Sequence, residues 1–224
     1  MTLAAQAVLS SAAGLVFFAA VLFWPAGTVD YWQGWLFVAV FALTTIVPTV
    51  YLAIRHPAAL ARRMKAGPMA ETRPVQRVVI TAVIAAAIAT FVVSALDHRF
   101  GWSDVPNWVV LVAELLVAIG LGGAQWVIVQ NNYAGASITV EPGQTLASTG
   151  LYGLVRHPMY AGAALMMIAT PPALGSWWGL LCVLGSAPAL AARILDEEKM
   201  LTEELPGYRE YTRRVRYRLI PGVW

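Results

Sequence analysis

Four stretches of this chain are apolar for long enough to cross a bilayer as helices: Leu3–Phe23, Trp32–Ile54, Val75–Leu96 and Asn107–Val129. A hydrocarbon core of about 30 Å takes about 20 helical residues, and the one acidic residue inside these stretches is Glu114. A fifth apolar region, Ala161–Ala192, is cut by Pro171-Pro172 and Gly175. Its first piece reaches only about 20 Å at 1.5 Å per residue, so a tilted helical hairpin that enters and returns is expected. Between the fourth stretch and the hairpin the pattern turns polar over Gln130–Thr149, with Glu141-Pro142-Gly143 reading as a turn. Beyond the hairpin, Arg193–Leu205 reads as a helix leaving the membrane and ended by Pro206-Gly207. A short helix follows, with Tyr208, Tyr211 and Val215 on one face and Arg209, Arg213 and Arg216 on another. This pattern predicts an interfacial helix lying against headgroups.

The expected fold is therefore an all-α integral membrane protein, with four transmembrane helices, a C-terminal helical hairpin and cytoplasmic amphipathic helices. Residues 1–129 supply the four crossings, and residues 130–224 the region with the candidate chemistry, in one integrated domain. Composition agrees: 59% of residues are hydrophobic and the mean hydropathy is +0.66, outside the range of soluble domains. The loop Arg55–Arg77 holds six of the 15 Lys/Arg residues, the tail from Arg193 holds seven, and only Arg99 falls in the opposite loops. The positive-inside tendency then predicts cytoplasmic N- and C-termini and an even number of crossings. The first apolar segment lacks a basic n-region and a small-residue cleavage site, so it is not read as a removable signal peptide. A net charge of +3 is accounted for by topology, leaving little support for nucleic-acid binding.

Metal and thiol chemistry find few ligands. Cys182 is the single cysteine, in an apolar run, and His56, His98 and His157 are the only histidines. Catalytic zinc usually takes three protein ligands, and His98 is expected on the opposite side, so no metal site is expected. Glu114 is an intramembrane carboxyl and by default a functional candidate, or else a protonated or backbone-paired group. It lies about 24 Å along its helix from Gln130, so any role there would be separate from the cytoplasmic cluster. The run Gly120-Leu121-Gly122-Gly123 reads as close helix packing.

The polar constellation is concentrated in the last third of the chain. Arg193, Glu197, Met200 and Glu204 fall within about 40° on one helix face. Arg193 and Glu197 are then either a surface i,i+4 ion pair or two walls of a polar pocket, offering a guanidinium and a carboxylate to a ligand of opposite charges. His157, just before Pro158, either closes a turn through a backbone hydrogen bond or faces the same pocket.

Taken in order, Thr149-Gly150-Leu151-Tyr152, Val155-Arg156-His157-Pro158-Met159-Tyr160-Ala161-Gly162, Arg193 with Asp196-Glu197-Glu198, and Leu205-Pro206-Gly207-Tyr208-Arg209-Glu210-Tyr211 with a basic end resemble the isoprenylcysteine carboxyl methyltransferase family. The wider superfamily includes phospholipid methyltransferases, and sterol reductases share a similar carboxy-terminal half. The resemblance covers about Gln130 to Trp224 and implies methyl transfer from S-adenosylmethionine to a membrane-partitioned or amphiphilic acceptor, with S-adenosylhomocysteine as product. Residue by residue, it implies cofactor contacts at Thr139, Gln144, Thr145, Leu146, Ala147, Tyr152, His157, Pro158, Met159, Tyr160 and Glu197. Arg193 falls where the family has its substrate-binding arginine, which favours a carboxylate acceptor such as an isoprenylcysteine. The segment Gln130–Gly143 is longer than the family pattern, so the match at Thr139 is the least secure.

Other classes make different predictions. A phospholipid or thiol methyltransferase would share the cofactor and differ in acceptor; an NADPH-dependent sterol-type reductase would bind nicotinamide. A non-catalytic membrane protein would bind no cofactor and use Arg193 and Glu197 only as an ion pair.

Overall fold

The computed structural model describes residues 3–64, 67–71, 73–131, 133, 140 and 143–224, with side chains in the first helix from Gln6 onward. Among the described residues there are eight α-helices and no strand. Their order is α1 (Leu3–Ala26), α2 (Trp32–Arg55), α3 (Pro57–Met64), α4 (Pro74–Phe100), α5 (Asn107–Gln130), α6 (Pro158–Ala173), α7 (Gly179–Glu204) and α8 (Tyr208–Arg214). Five of them, α1, α2, α4, α5 and α7, are long and apolar enough to cross a membrane. The protein is an all-α integral membrane protein, as the apolar pattern predicts.

Prolines set where several helices begin. Pro57, Pro74 and Pro158 each occupy the first residue of α3, α4 and α6, where a missing N–H costs nothing and the fixed φ suits the helix. The hairpin is α6 and α7, and its return arm runs without a break into the helix expected from Arg193, so that Gly179–Glu204 is one rod. Pro171 and Pro172 lie in the last turn of α6, and Gly175, at φ 72°, turns the chain between the two helices.

The hairpin reaches the far side of the bundle. Tyr31, between α1 and α2, donates to the Leu174 carbonyl at 2.6 Å. Ser176 Oγ bonds the buried Asp97 carboxylate near the end of α4. Ser103, in the α4–α5 loop, donates to Asp97 Oδ2 at 2.6 Å and accepts from the Trp177 amide at 3.0 Å. Trp24, Trp32, Trp35, Trp102, Trp108, Trp177 and Trp178 are all exposed at or near this same end. Tryptophan gathers at membrane–water interfaces, so this belt marks one edge of the bilayer and the hairpin tip lies in it. α6, at 16 residues, is shorter than the five membrane-length helices, and α3, the α5 end, the start of α6 and the tail share the opposite face, called here the motif face.

Packing of α6 on α5 fixes the start of α6. A Cβ on Gly120 would lie 2.6 Å from the Gly162 carbonyl oxygen, and one on Gly162 would lie 2.5 Å from that of Gly120. Only two glycines let the backbones approach this closely. Gly122 and Gly123 have open space where a Cβ would be, so close packing belongs to Gly120 alone within its run.

The tail departs from expectation. Tyr208, Tyr211 and Val215 face inward rather than towards headgroups, and form a buried cluster with Leu205, against which Val140, Leu146 and Leu201 pack. Gly207, at φ 83°, makes the sharp turn between α7 and α8 that folds the helix back onto the chain. Arg209, Arg213 and Arg216 remain exposed, as the helical spacing predicts.

Candidate active site

The expected chemistry converges on one pocket at the motif face, with about 800 Å³ of empty space open to solvent on one side. Gln144, Thr145, Leu146, Ala147, Tyr152, His157, Pro158, Met159, Tyr160, Arg193 and Glu197 all line it. Thr139 and most of the Glu141–Gly143 turn lie outside the described residues. Three elements contribute. The irregular segment from Gln144 forms one wall, the 3-10 turn Gly150–Gly153 with the start of α6 forms a second, and the outer half of α7 with α8 forms the third.

Tyr160 sits between the two charged residues of α7. Its hydroxyl donates to Glu197 Oε2 at 2.7 Å and accepts from Arg193 Nε at 3.0 Å. Arg193 and Glu197 are therefore joined through a phenol, not as a surface pair. The charge partner of Arg193 is Glu71, at 2.9 Å, and Gln76 Oε1 accepts a second bond at 2.9 Å. Arg193 is 5% exposed and Glu71 2%, so this pair is buried, and losing either member would leave an uncompensated charge. Gln76 also bonds Asp196, which pairs with Arg73 at 2.7 Å. The loop before α4 thus braces α7 from outside the pocket.

A second carboxylate on α7 organises the other side. Glu198 Oε1 accepts from Arg156 Nε at 2.7 Å and meets His157 Nε2 at 3.2 Å, while Oε2 accepts from Arg218 Nε at 2.9 Å. The amides of Arg156 and His157 donate to the carbonyls of Tyr217 and Arg218 at 2.9 and 3.0 Å. Both expected alternatives for His157 are therefore present in altered form: its amide closes onto the tail, and its ring lines the pocket while touching Glu198. The side chains of Arg156 and Glu198 keep only 8% and 12% of their exposure, making Glu198 the knot that ties α6, α7 and the tail.

Several groups in the pocket have hydrogen-bonding capacity to spare. Tyr208 Oη is buried with no partner among the described residues. Thr145, Leu146 and Ala147 lie outside any helix or strand, and among the described residues their amides donate to no other group. Tyr152 Oη accepts from Asn131 Nδ2 at 3.1 Å, and burial and the charge of Glu197 hold its hydroxyl pKa above the usual range. Tyr211 donates to the Tyr152 carbonyl at 2.8 Å. Met159, Met200, Leu201 and Leu205 complete an apolar wall.

Reading the residues alone missed Glu71, Gln76, Arg156, Glu198, Tyr208 and Tyr211 as parts of this site. Glu198 stood inside the quoted acidic triplet, and the Tyr208/Tyr211 face was visible in the helical spacing; Glu71 and Gln76 carried no local signal.

A polar, aromatic-walled pocket at one edge of an α-helical membrane bundle, lined by residues between Asn131 and Tyr211, defines an integral membrane protein with a candidate small-molecule site. The profile of the phospholipid methyltransferase family matches residues 108–208. The cobalt-zinc-cadmium resistance protein CzcN of Cupriavidus metallidurans is 30% identical over 161 residues, covering 71% of this chain and 68% of that protein. The Delta(14)-sterol reductase TM7SF2 of Mus musculus is 34% identical over 99 residues, which are 39% of this chain and 22% of the reductase. The chain belongs to the isoprenylcysteine carboxyl methyltransferase and phospholipid methyltransferase superfamily of integral membrane methyltransferases.

Proposed function

We propose that the protein is an S-adenosylmethionine-dependent methyltransferase that methylates the carboxylate of an isoprenylcysteine-like amphiphile at the cytoplasmic face. The observation that carries this reading is the spare hydrogen-bonding capacity gathered in one pocket: the second oxygen of Glu197, the amides of Thr145 to Ala147 and the orphan hydroxyl of Tyr208. Such a set fits the cofactor's chemistry. A carboxylate suits its ammonium or ribose hydroxyls, and a run of backbone amides suits its carboxylate. The tyrosines offer faces for a purine and for a cationic sulfur.

When bound, S-adenosylmethionine supplies a methyl group on a sulfonium, which leaves as a neutral thioether. An ionised carboxylate acceptor needs no proton removed, so the protein's task is alignment and exclusion of water. Glu197 and Tyr160 hold one side of the pocket, and the Glu198 knot keeps His157 and the tail closed over the other. Arg193 belongs to the acceptor side: its bond to Tyr160 fixes the phenol at the inner end, where acceptor and methyl would meet. The basic loop and tail support a cytoplasmic motif face.

The reading is tested by two substitutions in detergent-purified protein. Glu197→Ala should abolish calorimetric binding of S-adenosylhomocysteine. Arg193→Ala should leave that binding mostly intact and remove methyl transfer from radiolabelled cofactor to N-acetyl-S-farnesylcysteine. Equal cofactor affinity for wild type and Glu197→Ala would sink the residue assignment.

A further inference from the structure

Beyond α8 the tail folds into a pinned loop. The amides of Arg218, Leu219 and Ile220 donate to the main-chain oxygen of Trp224 at 2.8, 2.9 and 3.2 Å, and those of Val223 and Trp224 donate to the Ile220 carbonyl at 3.1 Å each. The Arg218 guanidinium, already on Glu198, lies 5.3 Å over the Trp224 ring, a cation–π contact. The loop is therefore held in shape and joined to the carboxylate that ties α6, α7 and the tail. Its tip is nonetheless apolar and uncovered. Ile220 is 55% exposed and Val223 76%, and Leu154, just before α6, is 62% exposed.

The depth of this tip in the bilayer follows from α6. Its 16 residues make a rod of about 24 Å. With its far end in the tryptophan belt, its start lies about 6 Å inside the motif-face edge of a hydrocarbon core of about 30 Å. The carbonyls of Tyr217 and Arg218 accept the amides of Arg156 and His157, so the loop is level with that start. Ile220, Val223 and Leu154 thus stand at the boundary between hydrocarbon and headgroups, where an exposed apolar side chain gains by entering lipid.

Charge around the tip is of one sign. From Pro206 to Trp224 the chain carries five arginines and a single acid, Glu210. Arg209, Arg213, Arg214 and Arg216 are exposed, and among the described residues none of them is in an ion pair. Each arginine close to an anionic bilayer surface is worth about fivefold in affinity, within a screening length of about 8–10 Å.

We propose that this loop docks on the anionic headgroups of the motif-face leaflet. Ile220 and Val223 enter the boundary, and Arg213, Arg214 and Arg216 hold lipid phosphates. The apolar pair at hydrocarbon depth favours a lipid surface over an acidic protein. Because Arg156, His157 and Arg218 share Glu198, seating the tail also holds the His157 wall of the pocket, so anionic lipid tightens cofactor binding. That last step rests on the methyltransferase reading for its ligand.

The test uses the full-length protein in nanodiscs of phosphatidylcholine, alone or mixed with phosphatidylglycerol. A fluorophore on Val223→Cys, in a Cys182→Ser background, reads the contact directly. Phosphatidylcholine brominated in its chains should quench it, more strongly in the anionic discs. The same label on Glu203→Cys, which α7 carries past the hydrocarbon core at about 36 Å from Gly179, should stay unquenched. Wild type should bind S-adenosylhomocysteine about three- to tenfold more tightly in the anionic discs, and salt at about 1 M should remove the difference. The triple variant Arg213→Gln/Arg214→Gln/Arg216→Gln should lose both lipid effects and keep the wild-type affinity for S-adenosylhomocysteine in neutral discs, which also shows that it is folded. An unquenched Val223→Cys label, or a triple variant that matches wild type in anionic discs, would overturn the proposal and leave these arginines to another partner such as an acidic protein. Quenching with lipid-independent affinity for S-adenosylhomocysteine would overturn the coupling to the pocket. A protein that binds no S-adenosylhomocysteine in any disc, yet is quenched in the anionic ones, would sink the cofactor assignment and leave the lipid contact standing.

Discussion

Glu198→Ala removes a carboxylate that holds Arg156 and His157 at the start of α6 and Arg218 in the tail. The Arg156 side chain is 8% exposed and that of Arg218 27%, so the energetic weight falls on Arg156. Deleting one member of a buried pair costs about 3–5 kcal/mol, because the remaining charge is stranded. Arg156 keeps a 3.3 Å bond to the Val215 carbonyl, which places the loss near the lower end, about 3 kcal/mol. The more exposed Arg218 contact adds no more than about 1 kcal/mol. For a chain of this size each kcal/mol shifts the midpoint by about 2–4 °C, so Tm in detergent should fall by roughly 6–16 °C. Tryptophan fluorescence reads the transition. The double variant Arg156→Met/Glu198→Met, which strands no arginine at that bond, should recover part of the loss. A fall of less than about 2 °C for Glu198→Ala would refute the argument that this carboxylate ties the tail to the pocket.

Other substitutions test separate parts of the structure. Tyr208→Phe removes a buried hydroxyl that has no partner among the described residues; it should raise the Tm of the ligand-free protein by a few degrees and weaken S-adenosylhomocysteine, opposite signs that a purely structural tyrosine would not give. Gly120→Val should prevent α5 and α6 from closing, read as loss of a monodisperse peak on size exclusion, whereas Gly123→Ala, with nothing within 4 Å of the new Cβ, should behave as wild type. Glu114 is buried with neither oxygen paired among the described residues, so Glu114→Leu should raise Tm by about 2–6 °C and leave methyl transfer unchanged; a loss of activity would place that carboxyl in the mechanism.

The apolar stretches carried most of the fold because membrane spans are set by length and continuity of hydrophobic residues, which are local properties. The break at Pro171-Pro172 and Gly175 was legible for the same reason, whereas α4 and α6 begin at Pro74 and Pro158, ahead of the Val75 and Ala161 at which the apolar pattern placed them. The depth of the hairpin was not, since it depends on Asp97 and Ser103 meeting Ser176 and Trp177 across the bundle. The candidate pocket was legible where its residues are contiguous, from Gln144 to Tyr160 and at Arg193 and Glu197. Helical spacing put Arg193 and Glu197 side by side and left open a surface pair or a shared pocket. The real partner, Glu71, comes from a loop whose charge looked purely topological. The Tyr208/Tyr211 face was visible, but one amphipathic pattern fits both a lipid surface and the chain's own core, and the Leu205, Leu201 and Leu146 contacts decide for the core.

The central claim is that the motif-face pocket binds S-adenosylmethionine, and calorimetric titration of detergent-purified protein with S-adenosylhomocysteine, with NADPH run in parallel, tests it most directly. Saturable binding of S-adenosylhomocysteine alone is the predicted result. Binding of NADPH alone would contradict it and turn the same residues into a reductase site, and binding of neither would leave the pocket without its proposed ligand.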